Sequence, residues 1–206
     1  MDRGPRPGYR SGVNEYPRDA AGQREMLRAE RAVRGEPALP PGQEWCVVGY
    51  RLDMAGFPEG AAAAWREALA LEAGLPQAHL GLGRALLELG DAEGAVNAIR
   101  AAMEADGLAA GRGLESLLDD PDDDPWYALG MAEHLRGRLD DAVRAYERSA
   151  GRFPWFAEPV LEKARAEMAR GDRAAAAAAC REAIHRARHR PEFRREAERL
   201  LAECGS

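Results

Sequence analysis

Chemistry would first be sought at the histidines. His185 and His189 stand four residues apart, with Cys180 shortly before them. On a helix that spacing puts both imidazoles on one face, a geometry that can bind zinc. Structural zinc takes four ligands, and this run offers three, so no metal is expected. A second cluster is acidic: Asp119, Asp120, Asp122, Asp123 and Asp124 surround Pro121 and precede Pro125. A calcium loop needs acids at alternating positions, then Gly and a distal Glu; Pro121 interrupts that pattern and no Gly follows. The better reading is that Asp124 caps a helix, Pro125 takes its first turn, and the acids favour the positive end of its dipole. A third cluster is basic: Arg181, Arg186, Arg188, Arg190, Arg194 and Arg195, opposed by Glu182 and Glu192. It could meet an acidic partner surface, but Phe193 is its only stacking aromatic, so nucleic acid is not expected and a solvated helical face is the default. His79 and His134 have no Ser or Cys at a useful spacing. No phosphate loop, nucleophile elbow or HExxH is present, so no enzyme and no cofactor are expected.

The elements behind these residues follow from composition. Of 206 residues, 42 are Ala, 28 are Arg and one is Lys; Thr is absent, and Val plus Ile total nine. Strands draw on β-branched and aromatic residues, while Ala, Leu, Arg and Glu favour helices. An all-α fold is expected. The net charge of −6 argues against a whole-chain nucleic-acid binder. The spread of Arg along the chain reads as the coding bias of a GC-rich genome. Cys46, Cys180 and Cys204 are too few and too far apart for a disulfide framework. No apolar run approaches the roughly 20 residues of a membrane span, and no apolar segment follows Met1, so a cytoplasmic chain is expected.

Residues 1–41 are expected to form a flexible arm with a short helix. Pro5, Pro7 and Pro17 with Gly4, Gly8 and Gly12 cannot build a core. From Asp19, a plausible N-cap, to Arg34 a helical pattern places Met26, Ala29 and Val33 on one face, and Gly35 can end it.

Beyond the arm the chain repeats. GFPEGAAAAW from Gly56, GDAEGAVNAI from Gly90, GRLDDAVRAY from Gly137 and GDRAAAAAAC from Gly171 share Gly first, Ala five residues later and, in most, a bulky residue tenth. The glycines are spaced 34, 47 and 34 apart, the middle interval being 34 plus an insertion of 13. This pattern resembles the tetratricopeptide repeat, as a bacterial member of that family. The first repeat carries it on Trp45, Val48, Gly49, Leu52, Ala61, Trp65 and Ala68. The second uses His79, Leu82, Gly83, Leu86, Ala95, Ile99 and Ala102. The third uses Trp126, Leu129, Gly130, Ala142, Tyr146 and Pro154, and the fourth Val160, Ala164, Ala176, Cys180 and Ala183. The resemblance implies an α-solenoid of helix pairs A and B. Repeats are expected at 42–75, 76–109, 123–156 and 157–190, with an insertion at 110–122 and a capping helix at 191–206. Cys180 then holds a core position, which speaks against zinc. Position 11 departs from the pattern in Glu133 and Glu167, as does Lys163 at position 7; the fourth repeat is expected to be a divergent unit with some polar residues turned outward. The insertion, with Leu114, Leu117 and Leu118, is expected to offset the stacking of repeats two and three.

The family also implies a concave groove lined by helix A. Here the lining reads Tyr50 in repeat one, Leu80, Arg84 and Leu87 in repeat two, Tyr127, Met131 and His134 in repeat three, and Leu161 and Arg165 in repeat four. Members that grip acidic C-termini use Lys and Asn at positions 5, 6 and 9. Positions 5 and 9 here are Cys46/Tyr50, Leu80/Arg84, Tyr127/Met131 and Leu161/Arg165, so that clamp is absent. An apolar, aromatic groove with Arg84 and Arg165 as anchors points to a partner peptide or helix. The N-terminal segment or a second copy of the chain is the other occupant considered. Two alternatives accompany this scaffold reading. One is a structural subunit tethered by Tyr9 and Tyr16, and the other is a secretion-type chaperone.

Overall fold

The computed structural model describes residues 16–105, 107 and 121–205. The expected arm residues 1–15, with Tyr9, and the insertion residues 108–120, with its three Leu, lie outside them. Among the described residues there are ten α-helices and no strand: α1 (Ala20–Val33), α2 (Pro41–Met54), α3 (Pro58–Leu71), α4 (Pro76–Glu88), α5 (Ala92–Ala105), α6 (Pro125–Leu135), α7 (Leu139–Arg152), α8 (Glu158–Arg170), α9 (Arg173–Arg186) and α10 (Pro191–Cys204). A 3-10 turn at Pro121–Asp123 precedes α6. The all-α helical-repeat fold is as expected from composition and period.

Two compact units divide the chain, Met1–Gly113 and Leu114–Ser206. In the first, α2 packs on α3, α4 on α5 and α3 on α4, while α1 lies on α2 and α3. In the second, α6 to α10 pack as successive neighbours, and α8 also meets α6 and α10.

The helices start and stop where local chemistry directs. Proline opens α2, α3, α4, α6 and α10, where its missing N–H costs nothing. Helices α2, α4, α6 and α8 are followed by Gly56, Gly90, Gly137 and Gly171, with φ between 73° and 83°. An L side chain there would be strained, whereas Gly is not. Past each glycine the next N–H folds back to the carbonyl of Leu52, Leu86, Glu133 or Glu167. Asp91 and Asp172 then cap the following helices, their Oδ1 atoms accepting from the N–H of Gly94 and Ala175 at 2.9 Å.

Core packing explains the small residues. A Cβ on Gly49 or Gly81 would lie 2.7 or 2.4 Å from the Trp65 ring, so this indole fills the space that α2 and α4 leave. A Cβ on Gly130 would come within 2.4 Å of the Tyr146 ring. Ala61, Ala68, Ala95, Ala102, Ala142, Ala176 and Ala183 are all buried. Small residues at these places let the helix backbones approach, and the aromatic or aliphatic residue between them supplies the buried area.

Three expectations need correction. Asp19 does cap α1, its carboxylate accepting from the Gly22 N–H at 2.8 Å. The buried face of α1, however, is Ala20, Gln23 and Leu27; Met26 is only half-buried, Ala29 is exposed and Val33 is 88% exposed. Polar bonds turn the helix that way. Gln23 Nε2 donates to the Pro17 carbonyl, and Arg24 and Arg28 reach the buried Glu44 on α2. Second, Tyr16 is not loose: it stacks near Phe57, which also carries the Arg18 guanidinium. Third, Glu167 of the fourth repeat turns inward and is buried, as is Glu133 of the third, each paired with the arginine three residues on, Arg170 at 2.6 Å and Arg136 at 3.0 Å. Lys163 reaches Glu147 at 2.6 Å.

Candidate protein-interaction surface

Two short rows of helix A side chains carry the expected site, one in each unit. In the first unit, α2 presents Tyr50, 56% exposed, and α4 presents Arg84 and Leu87, both half-buried. Their placement follows from helix periodicity: Tyr50 and Asp53 share a face of α2, as Arg84 and Leu87 share one of α4. Arg84 reaches Asp53 at 3.5 Å, so its charge is largely offset within the unit. Leu80, expected to line this row, does not offer an open surface. It is 5% exposed, because α4 turns it into the unit's interior.

In the second unit, Tyr127, Met131 and His134 follow one face of α6, and all three are half-buried. Tyr127 is held edge-on by Phe156 and tilted against Tyr146, with ring centroids 5.6 and 6.1 Å apart. Tyr127 and Met131 pack on the cluster of Ala142, Val143, Tyr146 and Ala166. Burial, and then the positive charge of Arg165, hold His134 below the ordinary histidine range, so it is neutral at pH 7. Arg165 is charged and engaged by Glu162 on its own helix and Glu196 on α10. Burial lowers its affinity for the proton, but the two carboxylates outweigh that. Leu161, like Leu80, is buried rather than presented. The arrangement is therefore an amphipathic surface with partly open aromatic and thioether groups. Its arginines are already neutralised, so it can bury apolar side chains more readily than it can grip a carboxylate.

The basic cluster disperses in three dimensions. Arg186 is turned inward, and one terminal nitrogen donates to the carbonyls of Ala150, Phe153 and Phe156 at 2.9, 3.3 and 3.5 Å. The other pairs with Glu182 at 2.5 Å. Arg190 bridges to Glu158 at 2.6 Å and covers the Phe193 ring at 4.4 Å. Arg194 pairs with Glu198 at 2.9 Å. Arg181, Arg188 and Arg195 remain exposed, with Arg188 against His185. Half of this run, spread over α9, α10 and the link between them, thus serves internal pairing, a role that spacing alone does not reveal.

Asp124 is a buried group that the spacing does identify. It caps α6, accepting from the Trp126 N–H at 3.4 Å, with Arg152 3.5 Å away. Burial pushes its carboxyl above the usual range. Cys180 is fully buried, as its core position requires. Among the described residues, no three His, Cys, Asp or Glu side chains gather closely enough to hold a metal ion. Among the same residues no helix is long and apolar enough to cross a membrane.

Comparison with known proteins agrees with this geometry. Among curated protein sequences none matches at a significant level. Solved structures do. MamA from Desulfovibrio magneticus RS-1 is 17% identical with a TM-score of 0.64, covering 83% of this chain and 85% of its own. TTC0263, a thermophilic TPR protein of Thermus thermophilus, is 20% identical with a TM-score of 0.58, over 80% and 83%. The TPR2AB domain of yeast Sti1, solved in complex with pHSP90, is 13% identical with a TM-score of 0.52, over 91% and 78%. These similarities establish the shared fold. The tetratricopeptide repeat family model matches residues 50–110 and 114–154, which include three of the four glycines that end the A helices. With the repeat pattern, the helix pairs and that match in agreement, the chain belongs to the tetratricopeptide repeat family.

Proposed function

We propose that the chain is a protein-interaction module, an adaptor or scaffold that holds a partner peptide or helix along its A helices, and not a catalyst. The observation that carries this reading is the pairing of Arg84 with Asp53 and of Arg165 with Glu162 and Glu196, beside partly open Tyr50, Leu87, Tyr127 and Met131. Neutralised cations next to apolar and aromatic groups favour a ligand that contributes buried side chains, with affinity concentrated in a few anchors. A cytoplasmic location belongs to the same proposal.

The test is affinity capture from the native cell with the full chain as bait, read by mass spectrometry. The double variant Tyr50→Asp with Leu87→Ser changes exposed or half-buried positions and leaves Trp65 and Ile99 in place. Partner recovery should fall at least about tenfold, with helical content unchanged, since losing a hot-spot aromatic costs ~2 kcal/mol or more. Equal recovery by wild type and variant would remove the first-unit row from the proposal. The same comparison with Met131→Asp addresses the second-unit row.

A further inference from the structure

Helices α8, α9 and α10 each bring one sulfur to the same place. Met168 lies in the last turn of α8, Cys180 in the middle of α9 and Cys204 at the end of α10. Cys204 Sγ donates to Met168 Sδ at 3.4 Å, and the Cys180 thiol lies close enough to Cys204 for that group to raise its proton affinity. Both cysteines are free thiols. Cys180 is fully buried, while Cys204 and Met168 are half-buried, so the cluster has an apolar floor and a rim that an ion can reach. The floor belongs to the cluster of Val160, Leu161, Ala164, Ala179, Ala183 and Ala197.

We propose that Cys180, Cys204 and Met168 form a three-sulfur site for a soft monovalent metal ion, Cu(I). With metal–sulfur bonds of about 2.3 Å, two sulfurs 3.4 Å apart can share one ion with little movement. Thiolate and thioether donors select Cu(I), whereas zinc takes nitrogen, oxygen and thiolate ligands in fours. Binding transfers the two thiol protons to solvent and leaves Cu(I) with two thiolates and one thioether. The resulting single negative charge has both Arg181 and Glu203 as sequence neighbours of its thiolates.

A disulfide between the two cysteines is the competing chemistry. Both thiols are free in the structure, so the redox state of the purified chain separates the two outcomes.

The test titrates the reduced full chain without oxygen against the Cu(I) complex of bathocuproine disulfonate. One Cu(I) per chain should be withdrawn from the chelator. Cys204→Ser should weaken uptake at least about tenfold and Met168→Leu by a smaller factor. Cys46→Ser, a change in α2 of the other unit, should leave it unaltered. Cys204 is half-buried on a terminal turn, so its serine variant should fold; circular dichroism verifies this. X-ray absorption of the loaded chain should show sulfur neighbours alone. The proposal is overturned by no withdrawal from the chelator, by wild-type uptake in Cys204→Ser, or by nitrogen and oxygen neighbours. It is also overturned if the chain purified without reductant carries a Cys180–Cys204 disulfide and takes up no copper once reduced.

Discussion

Helices α2 and α4 in the first unit and α6 and α8 in the second end in the same way, on a left-handed glycine and a folded-back N–H. The side chain at the position receiving that hydrogen bond differs. It is Leu52 and Leu86 in the first unit, and Glu133 and Glu167 in the second, all four buried. Leucine gains by leaving water, with about 1.5–3 kcal/mol for a full side chain. A carboxylate at this place faces two penalties, desolvation and the negative end of its own helix dipole. The arginine three residues later offsets both, pairing with the acid while its charge sits at the helix C-terminus. The repeat therefore demands volume at position 11, and either apolar area or an internal ion pair can provide it.

The strongest way to probe that contrast is to remove the element each unit packs around. Trp65→Ala should destabilise the first unit by about 3–5 kcal/mol, since the indole fills the space left by Gly49 and Gly81. Hydrogen exchange should show the loss across α2 to α4, and an effect under about 1 kcal/mol would mean those glycines are not there for Trp65. Gly130→Ala comes next, at about 1–3 kcal/mol, because its Cβ must displace the Tyr146 ring. Urea unfolding measures it, and a stabilised variant would show that the ring has room to move. Arg136→Ala should cost about 1–3 kcal/mol by removing the guanidinium that meets the buried Glu133 carboxylate. Glu133→Leu should by contrast be neutral or stabilising, as hydrophobic replacements of buried pairs often are. If both variants lose equal stability, apolar and ionic fillings are not interchangeable.

The smallest effect concerns pH. Burial raises the Glu44 carboxyl, but hydrogen bonds from Arg28 and Arg24 outweigh it and leave the group below its usual range. A depressed folded-state value means the stability is present above the unfolded value, about 4.3, and is lost as pH falls through the folded one. Exchange protection of α1 should therefore drop on acidification below about pH 4, and Glu44→Gln should abolish that dependence. An unchanged pH profile in Glu44→Gln would assign it to other groups.

Much of this architecture is legible from residue spacing. Gly56, Gly90, Gly137 and Gly171 mark helix ends because few other residues tolerate that backbone. Asp91, Asp124 and Asp172 mark helix starts for an equally local reason. What spacing misses depends on contacts between distant residues. The face of α1 departs from its pattern because ion pairs to Glu44, 16 and 20 residues away, outweigh the apolar stripe Met26–Ala29–Val33. Glu167 reads as outward-facing because its partner, Arg170, looks like an ordinary surface arginine. Leu80 and Leu161 read as open lining because a helix face does not announce how deeply its neighbours cover it. The arginines at 186, 190 and 194 form a run in sequence, but each has its own carboxylate or carbonyl in space.

One of those arginines bears on how α9 keeps its place. The run Ala174–Ala179 offers neighbouring helices a nearly featureless surface, with methyl groups of one size repeating at every turn. Such a rod could slide by a turn, about 5.4 Å, and still find similar contacts. Arg186 removes that freedom, because its guanidinium meets the carbonyls of Ala150, Phe153 and Phe156 in only one axial position. It works as a detent on a smooth shaft: alanine permits the close approach, and one charged fork decides where the sliding stops.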